Sequence, residues 1–428
     1  MPGTNSISRR LGSKHGNCYG AKPIMFRLFK KERMWQRREL KPRYEVVIVG
    51  AGVHGLATAY YLGSQHGIRN IALLDKGYLG NGSSGRNTAI IRSNYRTPEG
   101  ILFYDASVKL YENLSRELEW NLLFSQCGHL TLGHTDSAVT GLRIRAENNQ
   151  ALGINSRIIY PEEIRRLVPS LDVSGRPRYP ILAALYHPPG GIIRHDAVVW
   201  GLARACDRMG MEIHPFTTVT GMRVEGGKVQ AVLTSRGEVA AGAVLNATAG
   251  WASTISKMAG VPLQVVSHPL QACVTEPLKP FLDKVIVSAT LHVYVNQTDK
   301  GELVIGAEID PYSSYSMKGT LPTLEQMATY TLELFPQLHG LRVLRQWAGV
   351  CDMTPDYAPI IGAAQEVKNF YMDVGWGTYG FKAAPIAGKC TAELIATGKT
   401  PRLIEPFSPA RFETGQLVGE KAAAAVSS

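Results

Sequence analysis

The stretch Tyr44 to Asp75, YEVVIVGAGVHGLATAYYLGSQHGIRNIALLD, constrains this chain more than any other. Val46 to Val49 is a short, continuous β-branched run, the pattern of a strand buried on both faces. Gly50, Gly52 and Gly55 follow in the spacing G-x-G-x-x-G, and an Ala/Leu/Tyr-rich segment predicts a helix from about Val53 to Ser64. A second apolar run, Ile71 to Leu74, ends in Asp75, twenty residues after Gly55. Gly50 allows the tight turn, Gly52 lets backbone approach a pyrophosphate, and Gly55 lets helix and strand pack closely. A helix N-terminus, with unpaired N–H groups and the positive end of its dipole, favours the phosphates. Asp75 is placed to accept hydrogen bonds from ribose hydroxyls. A bare glycine motif is weak evidence. Strand before, helix after and acid at the end of the second strand make it a dinucleotide site, for FAD or NAD(P).

Net charge bears on partners. The formal +11 suggests nucleic acid until it is located. Residues 1–43 hold twelve lysines and arginines against Glu32 and Glu39, so the rest of the chain is close to neutral. This acid-poor arm admits several readings: a flexible tail, with Met25 as an alternative start, a docking arm for a partner subunit, or a transit peptide. The first two are preferred. No nucleic-acid partner is expected. No apolar run reaches membrane-spanning length, so no membrane partner is expected either. The six cysteines, Cys18, Cys127, Cys206, Cys273, Cys351 and Cys390, are scattered without a C-x-x-C pair. That argues against a cysteine-built metal site and suits a reducing, cytoplasmic compartment.

After Asp75 the loop GYLGNGSSGRN can lay backbone along a long cofactor. It runs into TAIIRSNY, where Arg92 follows an apolar pair. That is an odd place for a solvated charge: Arg92 is either a buried cation awaiting an anion or a helix-capping arginine. Helices are predicted over Ile101–Leu123, Ser137–Leu152 and Pro161–Leu167, around a strand at His129–Gly133. In PPGGIIRHD, Asp196 is a good N-cap for a helix from about Ala197, which leaves His195 just outside its start. A lone histidine there is ordinarily structural. A β-rich segment, Ile213 to Ser253, ends in an apolar run and then small residues, Asn246-Ala247-Thr248-Ala249-Gly250, that let a strand end touch a flat cofactor. Residues 262–345 predict antiparallel sheet plus a helix at Thr323–Leu334, a second layer that roofs the substrate. Finally, the strand Phe370–Val374 feeds GWGTYGFK and a helix from Ala383 to Ala396. This is a second glycine-rich helix entrance, with Lys382 facing whatever the loop holds or simply solvated.

Together these motifs resemble the D-amino-acid-oxidase superfamily of flavoproteins, and more closely the beta subunits of heterotetrameric sarcosine oxidases. HGLATAYYL (from His54), RNTAIIRSNY (from Arg86), LFSQCG (from Leu123), RHDAVVWG (from Arg194), SHPLQA (from Ser267), HVYV (from His292), GELVIGAEID (from Gly301), GWGTYGFK (from Gly375) and RFETGQL (from Arg411) recur in that order. The similarity covers about residues 44–428.

The resemblance implies an α/β fold. A Rossmann-like FAD domain of the glutathione-reductase type (44–130, 185–260, 346–428) joins an antiparallel-sheet substrate domain (131–184, 261–345), after the arm 1–43. It implies non-covalent FAD against Gly50, Gly52, His54, Gly55, Asp75 and Lys76, against Ser83, Arg86, Asn87 and Thr88, and against Ala249 and Gly250. Gly375, Gly377, Thr378, Gly380 and Lys382 complete the contacts. Arg92 and Lys382 would bind the substrate carboxylate. His195 matches the histidine that carries a second flavin, FMN, covalently at the boundary with the alpha subunit. Monomeric relatives attach FAD to a cysteine whose position here is Gly349, and Cys351, two residues off, is expected not to bond flavin. The implied reaction is oxidative demethylation of an N-methyl amino acid, sarcosine first. Electrons would pass from FAD to FMN and then to dioxygen, in a complex with alpha, gamma and delta subunits and with no metal. Two alternatives stay open: a subunit of an N-methylglutamate or other amino-acid dehydrogenase, and a flavin-binding subunit inactive without partners. The loop reads GAGVHG where the heterotetrameric subunits usually have GGGGHG, and Asp75 stands where a glutamate is commoner.

Overall fold

The computed structural model describes residues 34–420, so the basic arm lies outside the described residues as far as residue 33. In chain order the first elements are β1 (Arg43–Val49), α1 (Val53–His66), β2 (Ile71–Leu74), β3 (Ile90–Ile91), α2 (Pro98–Glu117), β4 (His129–Gly133) and α3 (Asp136–Ala151). Next come β5 (Arg157–Ile159), α4 (Pro161–Leu167), β6 (Ala183–His187), β7 (Gly191–Ile192), α5 (His195–Arg208), β8 (Glu212–His214) and β9 (Val219–Glu225). The middle of the chain adds β10 (Lys228–Thr234), β11 (Gly237–Asn246), α6 (Ala252–Met258), β12 (Val266–Pro277), β13 (Val285–Ser288), β14 (Val293–Gln297) and β15 (Glu302–Ile309). Last are α7 (Leu321–Leu334), β16 (Val343–Met353), β17 (Ile360–Ala363), β18 (Phe370–Val374), α8 (Gly380–Thr397) and α9 (Arg411–Thr414).

The first sheet has the order β17-β18-β11-β1-β2-β8, with β9 and β10 extending from β11 as a meander. β1 lies parallel between β11 and β2, and residues 46–49 are buried as their β-branched run demands. Helices α1 and α8 pack side by side on one face. A Cβ on Gly388 would sit 2.6 Å from that of Ala57, so the helices touch at backbone distance. That contact sets the glycine-rich starts of both helices next to one another.

The second sheet has the order β16-β12-β15-β14-β13-β4-β6-β5. It is antiparallel except where β4 runs parallel to β13. Its far face carries its own apolar core, with Leu130, Leu132, Ile286, Val293 and Phe335. Strands β4, β6 and β16, all in the second sheet, run across the boundaries drawn from sequence at 130/131, 184/185 and 345/346, and the chain changes sheet in the connections between strands.

The helix expected over Ile101–Leu123 begins and ends earlier, at Pro98–Glu117, started by Thr97, whose side chain caps Gly100 N–H. Part of the expected arm also belongs to the body. Lys41 Nζ pairs with the buried Glu212 at 2.6 Å, and Trp35 packs on the core. Among the described residues no helix is long and apolar enough to cross a membrane, no cluster is placed to hold a metal, and the described cysteines are unpaired.

Candidate active site

Where β1 ends, Gly50 takes φ +108°, a conformation side chains avoid, and a Cβ there would lie 2.4 Å from the Ala247 carbonyl oxygen. A Cβ on Gly55 would lie 2.0 Å from the Gly50 carbonyl oxygen. The fold itself therefore requires both glycines. Gly52 differs. Its φ is an ordinary −82° and its missing Cβ would meet only Ser84 Oγ, at 2.8 Å. The N-cap Gly52 gives α1 no side-chain cap, although Ser84 Oγ accepts from Val53 N–H (3.0 Å), and the helix start opens on the cavity with a glycine that packing alone does not demand. That fits a dinucleotide phosphate. Asp75 is more occupied than its expected ribose role implies. Its Oδ2 accepts from Ala51 N–H (2.9 Å) and its Oδ1 from Gly77 N–H (2.8 Å). Burial raises the Asp75 pKa and these two donors oppose the rise. Each oxygen keeps a lone pair for a further donor.

One cavity of ≈ 470 Å³ runs from this glycine turn to the second sheet. At the near end it is lined by Gly50, Gly52, His54, Asp75, Lys76 and Ala249. Lys76 Nζ lies 3.3 Å from the centroid of Trp251, which also lines it. Ser83, Arg86, Asn87 and Thr88 line its middle. Their loop is fastened to β16: Ser83 Oγ donates to Val350 O (2.8 Å) and Trp347 Nε1 donates to Arg86 O (2.8 Å). Gly377, Thr378 and Gly380 line the opposite wall, and Arg92 and Lys382 line it too.

Four expected residues lie outside the lining. Gly55 is packed under Gly50, Gly250 against Val350, and Gly375 against Thr354, so these three shape the backbone behind the wall. His195 is the fourth, on α5. The expected helix start is corrected there: α5 begins at His195 with Arg194 in the N-cap position. Asp196 falls in the first turn, where its Oδ1 accepts from Arg194 Nε (3.0 Å) and from Ala197 N–H (2.9 Å). His195 Nδ1 is buried with no hydrogen-bond partner among the described residues. Burial and then Arg194 lower the His195 pKa against the pull of Asp196, so the ring is neutral at neutral pH.

The second glycine loop is held by a histidine from the first. His54 Nδ1 lies 3.0 Å from the Asp373 carboxylate and Nε2 lies 2.9 Å from Gly380 O. Both partners only accept, so satisfying them takes two N–H donors, which is an imidazolium. Burial opposes that charge, but Asp373, with Gly380 and Asp352 in support, outweighs it and raises the pKa. Trp376 lies against the ring, tilted by 33° (4.5 Å between centroids), and donates Nε1 to Asp373 (2.7 Å). Asp352, fully buried, is pushed up to about 6 by desolvation.

Arg92 is 4 % exposed. Its guanidinium donates to Asn94 Oδ1 (2.9 Å) and lies 4.4 Å from the Tyr95 ring centroid. Lys382 is fixed through its backbone, because Ser107 Oγ donates to Lys382 O (2.6 Å) and Tyr111 OH to Phe381 O (2.7 Å). Desolvation, and then the like charge of Arg92, hold the Lys382 pKa well below that of a free lysine. Among the described residues neither cation is paired with a carboxylate. Two positive groups facing one cavity make an anion subsite.

Sequence reasoning missed His129, Thr131, Tyr294 and Trp376 on the cavity wall. The alternation in HLTLG, which sets polar His129 and Thr131 on one strand face, was the available signal for two of them.

Comparison with known proteins agrees with this architecture. The model of the FAD dependent oxidoreductase family matches residues 45–394. Sarcosine oxidase subunit beta of Rhodobacter capsulatus is 45% identical over 395 residues, covering 92% of this chain and 95% of that one. The subunit of the same description from an Arthrobacter species is also 45% identical, covering 92% and 97%. Among solved structures, L-proline dehydrogenase from P. horikoshii superposes with a TM-score of 0.83 at 30% identity, covering 88% of this chain and 100% of that one. Glycine oxidase from Geobacillus kaustophilus shares the fold, with a TM-score of 0.79 at 22% identity.

Proposed function

The chain belongs to the FAD dependent oxidoreductase family and, within it, to the sarcosine oxidase beta subunits, and from that premise we propose that it oxidises a secondary N-methyl amino acid, sarcosine foremost. The observation that carries this reading is the cation pair. Arg92 and Lys382 share one cavity with the dinucleotide loop and have no carboxylate of their own among the described residues.

FAD would be held by the start of α1 at Gly52, by Asp75, by the loop Ser83–Thr88 and by the turn Gly377–Gly380. Bound there, FAD supplies the acceptor for a hydride equivalent from the N-methyl carbon. The chain supplies position and field. Arg92 and Lys382 clamp the substrate carboxylate, fixing which carbon faces the cofactor. The same positive charges disfavour an ammonium beside them, so the substrate nitrogen gives up its proton on binding and its lone pair is free to assist C–H cleavage. His54 holds the two glycine loops at one spacing. Burial raises the Cys351 thiol pKa far above its usual range, which supports a protonated, unreactive sulfur and a non-covalent FAD.

His195 is the attachment point for a second flavin, FMN, which would relay electrons to dioxygen. A neutral imidazole with an unpartnered ring nitrogen, outside the first cavity, supports that role. The chain would work beside alpha, gamma and delta subunits. Likeness to a dehydrogenase as well as to oxidases supports a second reading, in which the acceptor is not oxygen.

The test is affinity. Truncating one partner of a desolvated charge pair costs about 2–5 kcal/mol. Arg92→Ala and Lys382→Ala in the assembled, FAD-loaded complex should each raise the KM for sarcosine and the Kd for acetate at least roughly 30-fold, with the flavin spectrum retained. Unchanged affinity for both ligands in both variants would place the substrate elsewhere.

A further inference from the structure

Strand β4 points two ways. Leu130 and Leu132 enter the apolar core behind the second sheet, which sets His129 and Thr131 on the other face, where both line the cavity. His129 is 1% exposed and neither ring nitrogen has a partner among the described residues. Thr131 is 5% exposed and its Oγ1 has none either. The contrast with the cross-strand neighbour is direct. His187 faces His129 in register and is fully used, with Nδ1 2.9 Å from Asn155 O and Nε2 accepting from Ser93 N–H. The surroundings can satisfy a buried histidine, and at position 129 they do not. An unmet buried polar group is destabilising, and such groups persist where a ligand meets them.

Sarcosine cannot meet them. Its carboxylate goes to Arg92 and Lys382, its methyl group is the reacting one, and it has no side chain. We propose that, besides sarcosine, the pocket takes an N-methyl amino acid whose side chain ends in a carboxylate or carboxamide, and that His129 and Thr131 read that end. This rests on the substrate clamp proposed above and names its substrate class. Charge selects the class. Burial, with the positive groups Arg92, Arg145 and Lys382 nearby, keeps His129 neutral, so it offers one N–H donor while Thr131 offers an O–H. Two donors on one strand face fit carbonyl or carboxylate oxygens. The same cations repel an ammonium-bearing side chain, and an aliphatic one would leave both groups unmet.

The experiment measures kcat/KM of the assembled, FAD-loaded complex for sarcosine, N-methyl-L-alanine, N-methyl-L-glutamate and N-methyl-L-glutamine. The native complex should favour at least one of the two polar substrates over N-methyl-L-alanine by at least about 10-fold, as a site built to hydrogen-bond does. The glutamate and glutamine arms separate carboxylate from carboxamide. His129→Val, and the isosteric Thr131→Val, which keeps a readout if the first fails to fold, should each shrink that ratio by about 10-fold, mainly through KM. N-methyl-L-alanine used as well as both polar substrates, or variants that slow all four alike, would overturn the proposal. No turnover of any N-methyl amino acid, sarcosine included, would overturn the clamp reading as well, so the two failures differ.

Discussion

His54 carries a prediction that the geometry makes quantitative. Its two ring nitrogens face a carboxylate and a carbonyl at 3.0 and 2.9 Å, and 11% of its side chain is exposed while Asp373 is sealed. With so little solvent screening, the pair counts as buried. Replacing His54 by leucine leaves Asp373 with Trp376 as its side-chain donor and an uncompensated charge, a loss of about 3–5 kcal/mol for a broken buried pair. The cost should depend on pH. The folded-state pKa of His54 lies above its ordinary 6.5. Its stabilisation is then complete below pH 6.5 and is lost as pH rises through the folded value. Asp352, whose folded pKa is near 6 rather than 3.8, has the same sign: a folded state favoured when it is protonated and penalised as it ionises. Urea unfolding of the native chain and His54→Leu at pH 6 and at pH 9 should therefore show a stability gap that narrows at the higher pH. A gap of equal size at both, or a nitrogen NMR spectrum with only one protonated ring nitrogen at pH 6, would mean a neutral histidine and would refute the reasoning.

The parts of this site legible in the sequence are those encoded within short spans. Gly50, Gly52, Gly55 and Asp75 lie within one strand–turn–helix–strand unit, so spacing alone puts them together. Arg92 was flagged because a charge after Ile90-Ile91 is out of place, and it is buried as that implies. The His54–Asp373 pair was not legible. Its members are 319 residues apart, His54 at the start of α1 and Asp373 on β18, and the sheet order β18-β11-β1 brings them together. His129 was hidden for a related reason. Which face of β4 meets a cavity depends on its neighbours β13 and β6, and the pattern HLTLG does not name them. The helix start lies at His195, two residues before the expected Ala197, because Asp196, a good cap by type, sits inside the first turn and accepts there from Ala197 N–H as well as from Arg194.

Two predictions remain. In the assembled complex, peptide mass spectrometry should find a tryptic fragment beginning at His195 and heavier by about one FMN, and His195→Asn should abolish acid-stable flavin; an unmodified His195 in a fully active complex would make the residue structural. The other prediction separates the roles of adjacent glycines. At Gly52 a side chain meets Ser84 Oγ alone, at an ordinary φ. Turning Ser84 aside sacrifices its bond from Val53 N–H, worth about 1 kcal/mol. At Gly55 a Cβ would run into the Gly50 carbonyl at 2.0 Å, and backbone cannot step aside as a serine can, so overpacking there costs about 1–3 kcal/mol or more. Gly52→Val should therefore fold and melt close to the native temperature but purify without FAD, while Gly55→Ala should lose stability measured on cofactor-free protein. If Gly52→Val kept its full complement of FAD, the open cradle at the start of α1 would not be where the phosphates lie.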